Sequence, residues 1–473
     1  MNNNDFRKNA HELVDWMADY FEQVEEYPVK PKVEPGDILQ QLSASAPEES
    51  EDFNAIFEDF KQTIMPGMTH WESPNFMGYF PANKSYPSVL AEMLTATLGA
   101  QCMSWLTSPA ATELEEQVME WLRQLLDLPE SFSGVIQGTA STSTLCALLM
   151  ARERASDFEI NANGFQQNQK LKVYCSTQTH SSIEKDVKIA GFGKNNLQPI
   201  PVDNQFAMRP KALEDAIKAD LEKGCMPAVV IATLGTTGST AIDPLQEIGA
   251  ICERYDLFLH VDAAYAGTAM LLPEMRWMAE GMEQADSFVF NPHKWMFTNF
   301  DCSAFYVQDE ELLIRTFSIL PEYLKTAEDQ HVKNYRDWGI PLGRRFRALK
   351  LWFVMRSFGA GGLRKKVRRH IDLGQQLEVN ISDHPNFELL APVPLNLLCF
   401  RFHPEHITNK EELNTLNEQL LHNIQESGEL FLTHTKLDGQ FALRMVIGNT
   451  NVKQRHVEAA WRLIQKEASL LVS

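Results

Sequence analysis

The sequence predicts an α/β protein whose larger part is built on a mostly parallel sheet. In the middle of the chain, short β-rich runs alternate with longer amphipathic stretches, and each run is followed by Gly, Ser, Thr or Pro. Strands that alternate with helices are typical of βαβ units and of a parallel sheet. The apolar fraction of 44% and the charged fraction of 22% are those of a folded globular chain.

Charge and cysteine usage narrow the class of partner and the compartment. Asp and Glu number 63 against 43 Lys and Arg, and the net charge of -20 argues against nucleic acid or an anionic membrane as a partner. The seven cysteines are an odd number and form no C-x-x-C pair, which favours reduced thiols. The opening MNNNDFRKNA has no apolar segment behind it, and no run of about 18 apolar residues occurs in the chain. We therefore expect a cytoplasmic protein.

Residues 1–85 are predicted to form a helical N-terminal segment. The string ELVDWMADYFEQV places one apolar face on a helix, formed by Leu13, Trp16, Met17, Tyr20 and Phe21. The proline-rich YPVKPKVEPG follows it. The apolar face can pack on a second subunit or fold back on its own chain, and the sequence leaves both possibilities open.

Residues 86–358 are predicted to form the large domain. Its β-rich runs are GVIQG, KVYCS, AVVIATLG, LFLHVDAA and SFVFNP. Parallel sheets bind ligands at the carboxyl ends of their strands, so the residues after each run are the candidates for a site. Near the end of this domain, LPEYLKTAEDQHVKNYRDWGIP has neither helical nor strand periodicity, which is typical of a functional lid or a disordered segment.

Residues 359–473 are predicted to form a small α+β domain. It begins with the basic helical string GLRKKVRRHIDLGQQLE and continues with a strand, a helix, two β-rich runs around LDGQ and a final helix. On an acidic protein, the basic string is interpreted as a solvated helix face and not as an anion site.

A carboxylate and an amine follow two of the predicted strands. Asp262 comes after LFLHV, and Lys294 comes thirty-two residues later, after SFVFNP. A lysine that attacks an aldehyde needs partial desolvation, and a buried carboxylate beside a pyridine nitrogen keeps that nitrogen protonated. These are the two demands of pyridoxal 5'-phosphate (PLP). Taken alone, each residue also fits a structural role, as a sheet-end carboxylate or a surface lysine.

Two further segments suit such a cofactor. In GVIQGTASTSTLCALLMAR, a strand and Gly138 precede a helix that starts near Ala140 and Ser141, and backbone N–H groups at a helix start bind phosphate. The hydroxyl of Ser141 or Ser143 could add a hydrogen bond. His180 follows another strand, and its ring could lie flat on the pyridine or serve a structural role.

A metal site is the alternative from a different class. His260, Asp262 and His293 could act as zinc ligands of a metal-dependent hydrolase, because His and Asp at strand ends coordinate zinc. This alternative leaves Lys294 and the phosphate-binding turn unexplained, and we predict no metal. A non-catalytic binding protein is a third possibility.

Eight strings resemble the group II PLP-dependent decarboxylases, with the aromatic-L-amino-acid decarboxylases the nearest in pattern. They occur in the family order over roughly residues 65 to 360, and they are THWESPNFMGYFP, SWLTSPAATELE, GVIQGTAS, THSSIEKD, ATLGTTG, HVDAAYAG, NPHKWMFTNFDCSA and IPLGRRFRALKLWF. The resemblance implies the type I aminotransferase-like fold. It also implies a homodimer with active sites near the subunit interface.

The resemblance also assigns residues to roles. Lys294 would bind PLP covalently, Asp262 would pair with the pyridine nitrogen, and His180 would stack on the ring. The phosphate would be held by Ala140, Ser141, Asn291 and His293, and the ring would be lined by Thr237 and Ala264. The substrate pocket would be formed by Trp71, Tyr79, Phe80, Pro81, Met103, Phe300 and Gly343. Tyr323 matches the tyrosine of the family's lid.

The implied reaction converts an aromatic L-amino acid, such as tryptophan, 5-hydroxytryptophan or DOPA, to its amine and CO2. In similar aldehyde synthases the lid tyrosine is phenylalanine or the stacking histidine is asparagine, whereas this chain has Tyr323 and His180. No arginine occurs among the implied pocket residues, which argues against glutamate as substrate. Gly343 stands where similar plant enzymes that accept indoles carry glycine. Ala82 and Met103 depart from the animal pattern of threonine and phenylalanine, so the preferred aromatic substrate stays open, and a decarboxylase of another amino acid stays an alternative.

Overall fold

A computed structural model describes residues 1–166, 169–319 and 331–472. Its helices, numbered α1 to α15, are Asn3–Gln23, Asp37–Gln41, Phe53–Asp59, Tyr86–Leu98, Pro109–Leu126, Ala140–Ala155, Glu159–Asn163, Ser182–Ile189, Pro210–Glu222, Leu245–Tyr255, Pro292–Trp295, Glu310–Phe317, Arg347–Ser382, Lys410–Glu426 and Gln454–Leu470. Its strands, β1 to β11, are Ser133–Gln137, Leu171–Ser176, Leu197–Ile200, Met226–Thr233, Phe258–Asp262, Ser287–Phe290, Ser303–Val307, Phe387–Leu389, Leu397–Phe402, Thr433–Leu437 and Gln440–Val446.

The chain divides into two compact units. The larger unit contains Ala82–Gln376 and Ala391–Leu398, and the smaller unit contains Met1–Pro81, Leu377–Leu390 and Cys399–Ser473. This division differs from the three predicted segments, because the N-terminal segment shares a unit with most of the C-terminal residues. The boundary predicted between residues 358 and 359 falls inside helix α13. The helix has a kink there, at Gly359, whose φ of 61° is not helical. The helix continues beyond this kink, so residues 359–376 stay with the larger unit.

The larger unit contains a seven-stranded sheet in the order β1-β7-β6-β5-β4-β2-β3. Strands β2 to β6 pair in parallel, and β7 runs antiparallel between β1 and β6. Strand β1 is therefore parallel to β6, and the carboxyl ends of β1, β6, β5, β4 and β2 all lie at one edge. All five predicted runs are strands of this sheet, which confirms the predicted fold class; β3 and β7 were not predicted.

Burial explains why the central strands form. Every residue of β5 and β6 is buried, as expected where helices cover both faces of a parallel sheet. The turn after β4 depends on Gly235, whose φ is +84° and where a Cβ would stand 2.5 Å from the Cβ of Ala266. A side chain at this position would be strained and would clash, so glycine is required.

The smaller unit joins the N-terminal segment to a four-stranded sheet of order β10-β11-β9-β8. The N–H of Met77 donates to the carbonyl of Phe431 at 2.9 Å, and the N–H of Val446 donates to the carbonyl of Met77 at 2.8 Å. These bonds place the chain just before Pro81 beside the sheet. The predicted C-terminal helices and strands are present as α13, α14, α15 and β9 to β11.

Helix α1 packs its aromatic face on its own chain. Trp16 meets Phe57 and Phe60 edge to face at 5.8 and 5.4 Å between ring centroids, and the hydroxyl of Tyr20 is 2.9 Å from Nδ1 of His70. None of the residues of α1 is fully buried, and Phe6 and Val14 are exposed. The face thus contacts its own chain but stays half-buried, and its packing on a second subunit stays a prediction.

Part of the predicted lid, including Tyr323, lies outside the described residues. Among the helices that are described, none is both long and apolar enough to span a bilayer.

Candidate active site

Asp262 and Lys294 lie at the same edge of the larger sheet. Asp262 is the last residue of β5, and it stands opposite Val289 of the adjacent parallel strand β6. Lys294 belongs to α11, which starts two residues after β6 ends. The register of two neighbouring strands therefore brings the carboxylate and the amine to one end of the sheet.

The carboxylate of Asp262 is buried and oriented. Its side chain is 6% exposed, and Oδ1 accepts the backbone N–H of Ala264 at 3.0 Å. The carbonyl of Asp262 accepts the N–H of Leu234 at the end of β4. The strand end is thus fixed on two sides, and the carboxylate can hold a protonated ring nitrogen only at a defined position.

Asn291 caps the turn that carries Lys294. Its N–H donates to the carbonyl of Ala264 at 2.9 Å, and its carbonyl accepts the N–H of Lys294 at 3.0 Å. Its side-chain Oδ1 is buried and has no hydrogen-bond partner among the residues that the structure describes. A buried amide oxygen without a partner costs free energy, so this atom is suited to accepting a hydrogen bond from a donor group of a bound molecule.

His293 adds a second polar group to the same turn. Burial, with a further contribution from the charge of Lys294, lowers the pKa of His293 to about 3. Its Nδ1 accepts the N–H of Cys302 at 2.9 Å, so the neutral ring carries its proton on Nε2. Nε2 is then a donor for a phosphate oxygen. The ring also meets Phe300 edge to face at 4.8 Å, while Phe300 itself is 59% exposed.

The start of α6 is the segment at which the sequence predicts an anion site. Thr139 is the N-cap, and its hydroxyl accepts the N–H of Thr142 at 3.3 Å. Ala140 and Ser141 are the first helical residues, where N–H groups point away from the helix along its axis. Ser143 donates its hydroxyl to the carbonyl of Thr139 at 3.2 Å and lies near Ser303. Ser141 is therefore the better candidate for a hydroxyl contact.

His180 lies in the segment after β2. Its Nδ1 accepts the N–H of Ser182 at 3.2 Å, which leaves the proton of the neutral ring on Nε2. Burial and the positive charge of Lys294 lower the pKa of His180, and Asp262 acts in the opposite direction. The ring is therefore electrostatically coupled to both candidate catalytic groups. Thr237 follows β4, and Ala264 follows β5 at the same edge of the sheet.

His260 has a structural environment. It is fully buried, with Nδ1 2.8 Å from the hydroxyl of Ser287 and Nε2 3.1 Å from the hydroxyl of Thr144. Burial lowers its pKa to about 4. Both ring nitrogens are engaged, so His260 cannot bind a metal without breaking one of these contacts. In the described ranges, no three His, Cys, Asp or Glu side chains are grouped as metal ligands.

Four of the seven residues expected at the substrate belong to the smaller unit. The rings of Trp71 and Tyr79 stack at 5.7 Å with an interplanar angle of 15°. Phe80 and Pro81 follow directly in the chain. Trp71 also meets Phe76 at 4.4 Å, and Phe76 stacks on Phe431 at 4.9 Å. The sequence did not single out these last two rings, since Phe431 is distant in the chain.

Arg444 is a further residue that the sequence analysis did not find. It is buried in the smaller unit, donates to the carbonyl of Gly78 at 2.6 Å, and holds its guanidinium carbon 4.7 Å from the centroid of Phe80. Arginine beside an aromatic wall is suited to binding a carboxylate. Its position in the strand-like FALRMV gave no local signal of such a role.

The remaining three expected substrate residues, Met103, Phe300 and Gly343, belong to the larger unit. Met103 is half-buried, and its carbonyl accepts the N–H of Arg336 at 2.8 Å. A Cβ at Gly343 would stand 3.2 Å from Nε2 of Gln101, so a side chain there requires Gln101 to move.

The larger sheet, with a lysine and an aspartate at adjacent strand ends and a helix start beside them, has the architecture of a PLP-dependent enzyme of fold type I. A family model, the pyridoxal-dependent decarboxylase conserved domain, matches residues 35–403. The chain belongs to this family, and it is a PLP-dependent decarboxylase.

Individual relatives agree with this assignment over the whole chain. The aromatic-L-amino-acid decarboxylase of Sus scrofa is 44% identical, covering 100% of this chain and 98% of its own. The phenylacetaldehyde synthase of Arabidopsis thaliana is 43% identical, covering 100% and 97%. The crystal structure of Oryza sativa TDC with PLP and tryptamine superposes with a TM-score of 0.97 at 35% identity, covering 100% and 99%.

Proposed function

We propose that this protein removes the carboxylate of an aromatic L-amino acid as CO2 and releases the aromatic amine, with Lys294 and Asp262 as its principal catalytic residues. The observation that carries the proposal is the position of these two side chains at the ends of neighbouring parallel strands. The chain's own residues suit PLP, because Nε2–H of His293, on the same turn as Lys294, can donate to a phosphate oxygen, and so can the backbone N–H groups at the start of α6.

Each candidate residue has a defined task in this proposal. Lys294 would hold PLP covalently through its Nζ, and Asp262 would hold a proton at the pyridine nitrogen. The backbone of Ala140 and Ser141 would bind the phosphate together with Asn291 and His293. When bound, PLP supplies a protonated ring that accepts the electron pair left when the bond between Cα and the carboxylate breaks.

His180 and Tyr323 would control the fate of the substrate carbon. His180 would pack against the cofactor ring and present the proton on Nε2. By the resemblance, the hydroxyl of Tyr323 would deliver a proton to Cα, which completes the amine. A closing lid would exclude water and oxygen at that step.

An aromatic substrate is supported by the relatives and by the rings of the smaller unit. Trp71 and Tyr79 stack on each other and leave part of their surfaces exposed, with Tyr79 50% exposed. No basic residue was expected at the side-chain pocket itself, which favours an uncharged ring over an acidic side chain.

A second candidate reaction is aromatic aldehyde synthesis. It is favoured by one observation, the 43% identity with a phenylacetaldehyde synthase. The presence of both Tyr323 and His180 favours amine formation, since by the resemblance aldehyde synthases lack one of them.

We further propose a homodimer formed by two copies of this chain. The exposed apolar side chains of α4 recur at helical spacing and form one stripe, which consists of Tyr86, Leu90, Met93, Leu94 and Leu98. The resemblance implies that a second copy of this chain covers this stripe. Sedimentation of the wild type against Leu90→Glu/Leu94→Glu tests this, with a dimer expected only for the wild type. A cytoplasmic location is proposed from the seven free thiols.

The decisive experiment combines cofactor trapping with a substrate panel. The purified protein with PLP is treated with borohydride, and peptide mapping is expected to find the label on Lys294 and to find none there in Lys294→Arg. Tryptophan, 5-hydroxytryptophan, DOPA, tyrosine, phenylalanine and glutamate are then assayed with amine, aldehyde and CO2 quantified. Turnover of glutamate without turnover of any aromatic substrate would contradict the proposal.

A further inference from the structure

The helical turn that carries Lys294 is too short to hold its own shape. Helix α11 contains only four residues, and the N–H groups of Lys294 and Met296 donate to the carbonyls of Asn291 and Pro292 at its two ends. Helices this short are unstable in isolation, because nucleation costs more than one or two hydrogen bonds return. The conformation of the turn must therefore be fixed by the side chains that pack around it.

Trp295, the neighbour of Lys294, makes the best-defined of these contacts. Its side chain is fully buried, and its Nε1–H donates to Nδ1 of His370 at 2.9 Å. One face of the indole stacks on the ring of Tyr265, with the ring centroids 4.8 Å apart and an interplanar angle of 10°. Phe297, on the far side of the turn, also meets the ring of His370 edge to face at 5.9 Å.

The stack extends to the strand that carries Asp262. Tyr265 follows Asp262 by three residues, and its hydroxyl receives a hydrogen bond from Nδ2 of Asn396 at 2.7 Å. Tyr265, Trp295 and His370 thus connect the end of β5, the turn after β6 and helix α13 within the larger unit. One aromatic stack touches both segments whose relative position defines the proposed site.

His370 has a constant role in this stack. An indole N–H can only donate, so Nδ1 of His370 must carry a lone pair. Burial, with smaller contributions from Lys366 and Arg369, lowers the pKa of His370 to about 3. The ring is therefore neutral near physiological pH, and the hydrogen bond to Trp295 is not broken by ordinary changes in acidity.

We propose that His370 is a positioning residue for the reaction: through its hydrogen bond to Trp295 it fixes the turn of Lys294 relative to Asp262. The proposal rests on the roles proposed above for Lys294 and Asp262. His370 would not touch substrate or cofactor, and its effect would pass through the indole of Trp295.

Two variants of His370 separate the hydrogen bond from the volume of the ring. His370→Asn keeps an acceptor close to the position of Nδ1, whereas His370→Leu keeps a comparable apolar volume and removes the acceptor. Trp295→Phe removes the donor and keeps an aromatic ring, so it tests the same bond if His370→Leu does not fold.

The first measurement is amide hydrogen exchange of residues 288–300 in protein freed of PLP. His370→Leu and Trp295→Phe are expected to speed exchange in this segment by about tenfold and to weaken PLP binding by a similar factor, because a misplaced reacting group is costly. His370→Asn is expected to stay within about threefold of the wild type on both measurements.

The outcomes are distinct. Unchanged exchange and PLP affinity in His370→Leu would overturn the proposal, as would equal losses in His370→Asn and His370→Leu, since the acceptor would then be irrelevant. A wild type that retains no PLP would refute the proposed function instead, while the exchange measurement would still report on the bond to Trp295.

Discussion

Arg347 and Asp301 form a two-point ion pair in the larger unit. Nε and Nη2 of Arg347 lie 3.0 Å from Oδ1 and Oδ2 of Asp301, respectively. Burial alone would raise the pKa of Asp301, but Arg347, together with Lys350 and a backbone hydrogen bond, more than offsets it and holds the pKa below its ordinary value. A Cβ at Gly138 would stand 3.0 Å from Oδ2 of Asp301, so this pair lies directly against the turn before α6.

Breaking this pair is expected to lower stability. Arg347→Leu leaves a largely buried carboxylate without its partner, which we expect to cost about 2 kcal/mol of unfolding free energy near pH 7. The loss should shrink as Asp301 becomes protonated at acid pH. Urea unfolding of Arg347→Leu, Asp301→Asn and the double variant measures the coupling. If the losses of the two single variants simply add, the pair contributes nothing as a pair.

Removing the charge of Asp262 is expected to stop catalysis with little effect on the fold. Asp262→Asn retains an oxygen that can accept the N–H of Ala264, so it isolates the charge from the hydrogen bond. We expect both Asp262→Asn and Asp262→Ala to lower kcat by about three orders of magnitude or more, because the ring nitrogen would lose its proton. Circular dichroism and thermal unfolding serve as controls. A kcat for Asp262→Asn within tenfold of the wild type would refute the role.

Asp186 is expected to make stability depend on pH. Burial raises the pKa of Asp186 to about 7; the charge of Lys185 opposes this rise, and Asp262 adds a smaller increase. Within residues 1–166, 169–319 and 331–472, its Oδ2 has no hydrogen-bond partner. The folded protein therefore keeps a proton that the unfolded chain releases near pH 4, so this residue destabilises the fold progressively as pH rises from about 4 to 7.

Asp186→Asn should consequently be more stable than the wild type by about 2 kcal/mol at pH 8 and nearly equal to it at pH 4. Denaturant titrations at both pH values measure this difference. Asp215→Asn, the same substitution at an exposed position of α9, provides the matched control variant. A constant difference between Asp186→Asn and the wild type across this range would contradict the prediction.

Tyr323→Phe is expected to change the products and not only the rate. Without the hydroxyl that would protonate Cα, oxygen should compete for the substrate carbon, and part of the output should become aldehyde, ammonia and peroxide. The ratio of amine to aldehyde under air and under nitrogen measures the change. A variant that is slower but forms only amine under air would show that another group supplies the proton.

The positions of Asp262 and Lys294 in the fold were easier to predict from the sequence than the contacts that surround them. Asp262 and Lys294 come at the ends of apolar runs that form adjacent parallel strands. Because the carboxyl ends of parallel strands lie at one edge of a sheet, this was enough to predict that both residues lie at the same edge. Strand β3 was missed because its four residues include Pro199 and are mostly not buried. Strand β7 was missed because its five residues are all buried, so they do not show the alternation of apolar and polar residues that indicates a strand.

Contacts between distant residues gave no local signal. His370 lies 75 residues after Trp295, and Arg347 lies 46 residues after Asp301, so neither pair could be inferred without the fold. For His260, the sequence allowed a role that its surroundings in the structure do not favour. Alternation along β5 allowed it as a metal ligand, but only the structure places the hydroxyls of Thr144 and Ser287 at its two ring nitrogens.

The course of the chain through its two units has a consequence during translation. Residues 1–81 leave the ribosome long before residues 399–472, with which they form the smaller unit, have been synthesised. Phe76 pairs with Phe431, so the N-terminal segment cannot form this pairing until the last tenth of the polypeptide emerges. Nascent chains with unsatisfied apolar segments are prone to aggregate, and this segment is where a holdase chaperone is most needed.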